Sequence, residues 1–297
     1  MEERETTPNV SGIEVRGFSR SFRRGFLMRQ HAILDRLDLS VPRGSTFGLV
    51  GPNGSGKSTL LRAIAGVDPG DAGQVRVLDH DPRAGAVRAR IGFLPEGCPY
   101  PSELGARSVL TLLDRAHGAP SDGRRERVER WLARVGLDQA GDKPIRTFSS
   151  GMRRRLGLAA ACQSEPDVLL LDEPSAGLDG DGVRLLEELL EEARGRGATL
   201  LVCSHLPSDL YANCDAIAIL LDGRIATVQE PSVLATRVSK LEVELERRDA
   251  TSDVDVDELT RRFDSLGLDV RGARPSASGL VELYRRLASE DGDRDEA

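Results

Sequence analysis

Lysine is nearly absent from this 297-residue chain: Lys57, Lys143 and Lys240 are the only ones, and arginine carries the remaining positive charge. Each lysine therefore merits inspection, because a compact ammonium and a planar guanidinium are not interchangeable. Cysteine is scarce too. Cys98, Cys162, Cys203 and Cys214 form no C-x-x-C pair and stand near no histidine cluster, which speaks against a zinc site or a disulfide framework and fits a reducing compartment. No stretch approaches the roughly 18 consecutive apolar residues of a membrane helix; the longest, such as 216–221, are strand-sized. The opening MEERETTPNV is acidic and polar, unlike a secretory signal. Positive charge is also short overall, since 48 acidic against 41 basic residues leave a formal charge of −7. That balance is wrong for holding a phosphate backbone, so no nucleic-acid partner is expected. The expected location is the cytoplasm, with any membrane role running through a partner.

What is present is the composition of an ordinary globular protein, 39% hydrophobic and 30% charged. The length suits one large domain, or one with a smaller companion. Residues 12–22 (GIEVRGFSRSF) and 33–41 (ILDRLDLSV) read as two strands, with 23–31 as a basic loop between them. Further strands are predicted at 46–50, 74–78, 91–94, 168–171, 199–203 and 216–221, the last being the final strand of the set. Helices are predicted at 58–65, 108–116, 124–135, 151–162 and 182–194. The uninterrupted apolar run at 168–171 is how a parallel strand buried on both faces reads. Strands alternating with helices imply an α/β domain with a largely parallel sheet. Beside it the early strand pair suggests a small antiparallel β lobe, and 97–165 a helical insertion. From about 230 the pattern changes to what reads as a small α/β appendage over 231–288, followed by a charged, disordered tail at 289–297.

The strongest motif is GPNGSGKST, Gly51 to Thr59. It fits G-x-x-x-x-G-K-[ST], follows an apolar strand and opens a helix. Gly51, Pro52, Asn53, Gly54, Ser55 and Gly56 form a loop whose glycines let backbone N–H groups approach phosphate oxygens. The helix that follows adds its N-terminal dipole. Lys57 brings a mobile cation to the β- and γ-phosphates, the Ser58 hydroxyl suits Mg²⁺, and Thr59 closes the motif. A dinucleotide fingerprint is excluded, because Thr59 stands where the third glycine would be. The second motif is VLLLDEP, in which a buried strand delivers Asp172 and Glu173 at its carboxyl end. Asp172 suits the metal, and Glu173 suits a general base that polarises water. The helix start around Ser149 and Gly151 is a weaker anion site. The run Arg153 to Arg155 reads as a solvated face. His205 follows another buried strand and gains interest from sharing a crevice with Lys57 and Asp172.

In this order the motifs resemble those of the ATP-binding cassette ATPases, the nucleotide-binding subunits of ABC transporters. GPNGSGKST is similar to their Walker A loop, FSSGM (148–152) to their signature, LLLDEP to Walker B, SAGLD (175–179) to the D-loop and His205 to the switch histidine. The resemblance spans about 12–230 and implies a P-loop NTPase fold, ATP and Mg²⁺ as ligands, and ATP hydrolysis coupled to export. It implies a head-to-tail homodimer in which Ser149 and Gly151 of one copy, with Asp179 nearby, close over nucleotide held by the other. It also implies a separate integral-membrane permease, with the ATPase peripheral on the inner face of the membrane. Catalytic roles are implied for Glu173, His205 and Lys57, metal contacts for Ser58, Asp172 and Glu96, and adenine stacking for Phe22, with Phe26 competing. Two departures stand out. Phe148, Ser150 and Met152 replace three residues of the usual signature, and Glu96 stands where a glutamine is usual. Both variants resemble exporter-type cassettes, among them the ATPase of the complex that matures nitrous-oxide reductase. A soluble, non-transport cassette acting as a regulatory or assembly module is the alternative.

Overall fold

The computed structural model describes residues 11–24, 29–204 and 214–231. Contacts divide the chain at Arg237–Val238 into two units, and every described residue belongs to the first. Beyond residue 231, the expected appendage at 231–288 and the tail lie outside the described residues.

The chain opens with a long hairpin, β1 (Ser11–Arg24) and β2 (Arg29–Pro42). The described ends of the segment expected as a basic loop, 23–24 and 29–31, are strand, since the ladder runs on through Phe22 opposite His31 and Arg24 opposite Arg29. Backbone pairing, indifferent to side-chain polarity, carries the strands past the last apolar residue. After β3 (Thr46–Val50) and α1 (Lys57–Ile64) comes β4 (Ala72–Val77), which pairs antiparallel with β1. The lobe therefore has three strands, in the order β2-β1-β4, and not the two expected.

A short α2 (Gly85–Arg88) leads to β5 (Ile91–Leu94). The insertion follows as α3 (Ala106–Ala116), α4 (Arg124–Arg134), two 3-10 turns and α5 (Ser150–Cys162). Then come β6 (Val168–Asp172), α6 (Gly180–Gly195), β7 (Thr199–Ser204), β8 (Ala216–Leu221) and β9 (Arg224–Gln229). The large sheet has the order β5-β6-β7-β3-β8-β9 and is parallel except for β9, which returns antiparallel along β8. β8 is thus not the final strand. β9 alternates exposed and half-buried positions, so it lacks the apolar run that marks its neighbours.

Because side chains alternate across a strand, the sheet divides the core in two. Leu169 and Leu171 face a cluster with Leu156, Leu186 and Leu190 of the helical side, whereas Val168 and Leu170 face a cluster with Leu60, Ile64 and Phe18 on the lobe side. Leu170 and Leu171 are fully buried, and each such side chain contributes about 1.5–3 kcal/mol relative to exposure. α6 shows how sequence meets this plan. Leu185, Leu186, Leu189, Leu190 and Ala193 form its buried stripe, and Asp179 caps its N-terminus by accepting from Gly182 N–H at 2.9 Å.

Candidate functional site

The carboxyl ends of β3, β6 and β7 lie side by side, where an open α/β sheet offers its crevice. β3 is buried to its last residue, and the 51–56 loop leads directly into α1. Ser55 N–H donates to Pro52 O at 3.2 Å, closing the loop into a turn. Gly56, the N-cap, has φ 107°, and a Cβ there would lie 2.6 Å from Leu34 Cδ2, so the position needs glycine on both counts. No side chain caps α1, which leaves its first-turn N–H groups available to an anion. Lys57 folds back over the loop and is only 7% exposed. Its Nζ donates to Gly51 O at 2.7 Å and Pro52 O at 3.3 Å. Pro52, Asn53 and Gly54 form the exposed rim, while Ser55 and Thr59 are buried.

β6 delivers Asp172, 2% exposed, beside this helix start. Burial raises the Asp172 pKa, helped by the charges of Glu96 and Glu173, while the nearby Ser58 hydroxyl opposes the rise. Oδ1 of Asp172 is buried and has no hydrogen-bond partner among the described residues. An unsatisfied carboxylate oxygen next to a hydroxyl is a donor set for a hard divalent cation. Mg²⁺ typically takes one or two carboxylates and completes its shell with phosphate oxygens and water. The site fits that pattern, and among the described residues no group of three or more His, Cys, Asp or Glu suggests a different metal.

Glu173 follows with φ 50° and 8% exposure. A left-handed backbone at a non-glycine residue costs on the order of 1–3 kcal/mol. It is held by Glu173 N–H donating to Cys203 O at 3.0 Å and Ala176 N–H donating to Glu173 O at 3.1 Å. Glu96, beyond β5, is exposed but close enough for its charge to act on Asp172.

Ser149 is the exposed N-cap of α5, its Oγ accepting from Met152 N–H at 3.2 Å. Gly151 sits over the 174–179 turn, where a Cβ would be 3.2 Å from Gly177 O. Asp179 is exposed and bonded to Arg155, and that bond, with the Gly182 N–H, holds its carboxyl below the usual carboxylate range. Signature and D-loop are thus brought together, but no described hydrogen bond ties Ser149, Gly151 or Asp179 to the 51–59 loop. Phe22 lies on β1, 40% exposed, with Arg20 Cζ 4.6 Å from its ring centroid. Arg20 is itself anchored to Asp68 and Asp71. Phe26 and His205 lie outside the described residues.

The run Arg153 to Arg155 is not the solvated face expected. Arg153 donates to Phe148 O at 2.7 Å, Arg155 pairs with Asp179, and Arg154 is buried at 6% exposure. Helical spacing held the signal: Arg154 stands three, four and seven positions before the buried Gly157, Leu158 and Ala161.

A phosphate-cradling loop, a buried acid against its serine and a mostly parallel sheet with a side lobe define a P-loop nucleotide-binding protein. The ABC transporter family matches residues 34–176. The chain is 40% identical over 194 residues to the daunorubicin resistance ATP-binding protein DrrA3 of Streptomyces coeruleorubidus, covering 65% of this chain and 61% of that protein. It is 34% identical over 207 residues to the Nod factor export ATP-binding protein I of Paraburkholderia xenovorans, covering 69% of this chain and 68% of that protein. The chain belongs to the ABC transporter ATP-binding family. Its match spans less than two thirds of the length of the first of these relatives. The fold is also that of an ATP-binding cassette solved as a dimer in a post-hydrolysis state with ADP and Pi. That likeness has a TM-score of 0.67 at 22% identity and covers 74% of this chain and 98% of that one.

Proposed function

We propose that this chain binds and hydrolyses ATP as one of a head-to-tail pair and so powers a separate membrane permease from the cytoplasmic side, in export. The observation that carries the reading is the contact of Ser58 with the buried Asp172, beneath a loop over which Lys57 is already folded. Lys57 and the first-turn N–H groups of α1 hold the β- and γ-phosphates. Ser58 and Asp172 would hold Mg²⁺, with Glu96 as a further candidate ligand; when bound, the ion would neutralise charge on the phosphate oxygens. Glu173 accepts the proton of the attacking water, and His205 is the second proposed catalytic group. Ser149 and Gly151, with Asp179, serve the nucleotide of the partner copy, which suits the exposed positions of Ser149 at the start of α5 and of Asp179 at the start of α6. The catalytic unit is proposed to span 12–230, with 231–288 as an accessory domain.

The export reading is supported by relatives named for daunorubicin resistance and Nod factor export. The finer likeness to the ATPase of nitrous-oxide reductase maturation rests only on Glu96 and the FSSGM signature. The deciding experiment is Mg²⁺-dependent phosphate release by the purified chain, alone and with the membrane protein that co-purifies with it. Release in neither condition overturns the proposal.

Two variants refine it. Phe22→Ala is expected to weaken ATP binding about tenfold, the loss of one stacking contact of roughly 1–1.5 kcal/mol, with kcat unchanged at saturation. Titration calorimetry checks this, and an effect carried wholly by Phe26→Ala would assign the stacking to Phe26. Glu96→Gln is expected to leave the ATPase rate of the isolated chain within about tenfold, roughly 1.4 kcal/mol of barrier. The larger change is expected in stimulation by the permease, because an amide both donates and accepts where a carboxylate only accepts. Equal loss with and without the permease would place Glu96 in catalysis and not in coupling.

A further inference from the structure

The buried guanidinium of Arg154 has no place in the reading above. Its Nη2 donates to Glu96 O at 2.8 Å and its Nε to Ala176 O at 3.2 Å. Its Nη1 lies 3.3 Å from Pro95 O, 3.3 Å from Asp172 O and 3.9 Å from Cys98 Sγ. Four backbone carbonyls from three separate segments thus converge on one side chain. The segments are the turn after β5 that carries Glu96, the end of β6 that carries Asp172 and leads to Glu173, and the turn that leads to Asp179.

Burying a cation costs several kcal/mol, and apolar replacements of similar volume are often neutral or better for stability. Packing alone therefore does not explain an arginine here. A planar fork of five donors does, since it can bond several fixed carbonyls at once where an ammonium on a flexible stem cannot. The helix is placed for this reach. Gly157, one turn further along α5, packs so closely that a Cβ would lie 2.5 Å from Leu94 Cδ1 and 2.7 Å from Cys98 Sγ. The same helix begins at Ser149, the exposed cap offered to a partner's nucleotide in the reading above.

We infer that Arg154 is a positioning residue. It ties the signature helix to the Glu96 turn, the Asp172–Glu173 strand end and the 174–179 turn of its own copy, so that these acids are set in register only while α5 is in place. The inference rests on the proposed ATPase reading for its kinetic consequence, but the tether itself does not depend on activity.

The test uses the full chain with R154K, which keeps charge and stem but loses the fork, and R154M, which loses both. In each variant kcat is expected to fall at least about tenfold while ATP affinity by calorimetry stays within about threefold, the signature of lost transition-state positioning. Hydrogen exchange of the Glu96–Cys98 and Ser175–Leu178 amides is expected to quicken together, by about tenfold or more, with the amides of α1 unchanged. A merely structural role would lower thermal stability and leave kcat of the folded protein intact. If kcat of R154K stays within about twofold of wild type, or the two segments do not quicken together, the inference is wrong. R154K decides alone should R154M fail to fold. A wild-type chain without ATPase activity would remove the functional reading instead, and the exchange measurement would then decide the tether by itself.

Discussion

Glu173→Gln is expected to bind ATP with nearly unchanged affinity and to hydrolyse it about 10²–10⁴-fold more slowly, the usual cost of losing a general base. An amide keeps the size and hydrogen-bonding reach of the side chain but cannot take the proton of water. The backbone at this position is already paid for by the Cys203 and Ala176 contacts, so the substitution leaves the left-handed turn as it was. Binding and chemistry should therefore separate cleanly. With hydrolysis blocked, the ATP-bound pair should accumulate, and size-exclusion chromatography at saturating ATP and Mg²⁺ should show a dimer that reverts to monomer when ATP is removed. A variant that turns over at the wild-type rate would remove Glu173 from the chemistry.

Lys57→Ala is expected to abolish measurable hydrolysis, a loss of at least about 10³-fold, and to weaken ATP binding by about 10–100-fold. The second figure corresponds to roughly 1.4–2.8 kcal/mol, the worth of one hydrogen bond to a charged group. Two effects combine. The phosphates lose a cation held at the mouth of the loop, and the Gly51 and Pro52 carbonyls lose their ammonium donor. Lys57→Arg should rescue poorly, because a wide planar group must occupy a position where the lysine is almost wholly buried. Phosphate release and calorimetry on both variants check this, and near-normal turnover by Lys57→Ala would contradict the assignment of the loop.

The parts of the fold that sequence exposes are those whose physics is local or uniform. β3, β6 and β7 are buried at every position, so their apolar runs announce them, and α6 announces itself by its leucine spacing. β4 was expected as a strand at 74–78, but its pairing with β1 is made by the backbone of mostly exposed residues, and β9, exposed or half-buried throughout, left little pattern to read. The phosphate loop, Asp172 and Glu173 were legible because the motif and its strand–loop–helix setting occur together. Arg154 was hidden inside a run of three arginines: charge suggested solvent, while the helical period pointed to the core. What settles the conflict is a set of carbonyls from distant segments, and no local window contains them.

The place of β3 in its sheet also governs how the chain must be made. TFGLV hydrogen-bonds to β7 on one side and β8 on the other, and both partners lie roughly 150 residues downstream. At synthesis rates of about 5–20 residues per second, about 8–30 s pass before either neighbour exists. The β1–β2 hairpin can close at once, but through that interval the strand that will carry the phosphate loop is an apolar segment with both edges bare, open to pairing with the wrong chain. Translation halted before Thr199 would leave a product with a complete nucleotide-loop motif and neither neighbour of the strand that carries it, so the hazard for this protein lies on the ribosome well before it lies in the finished fold.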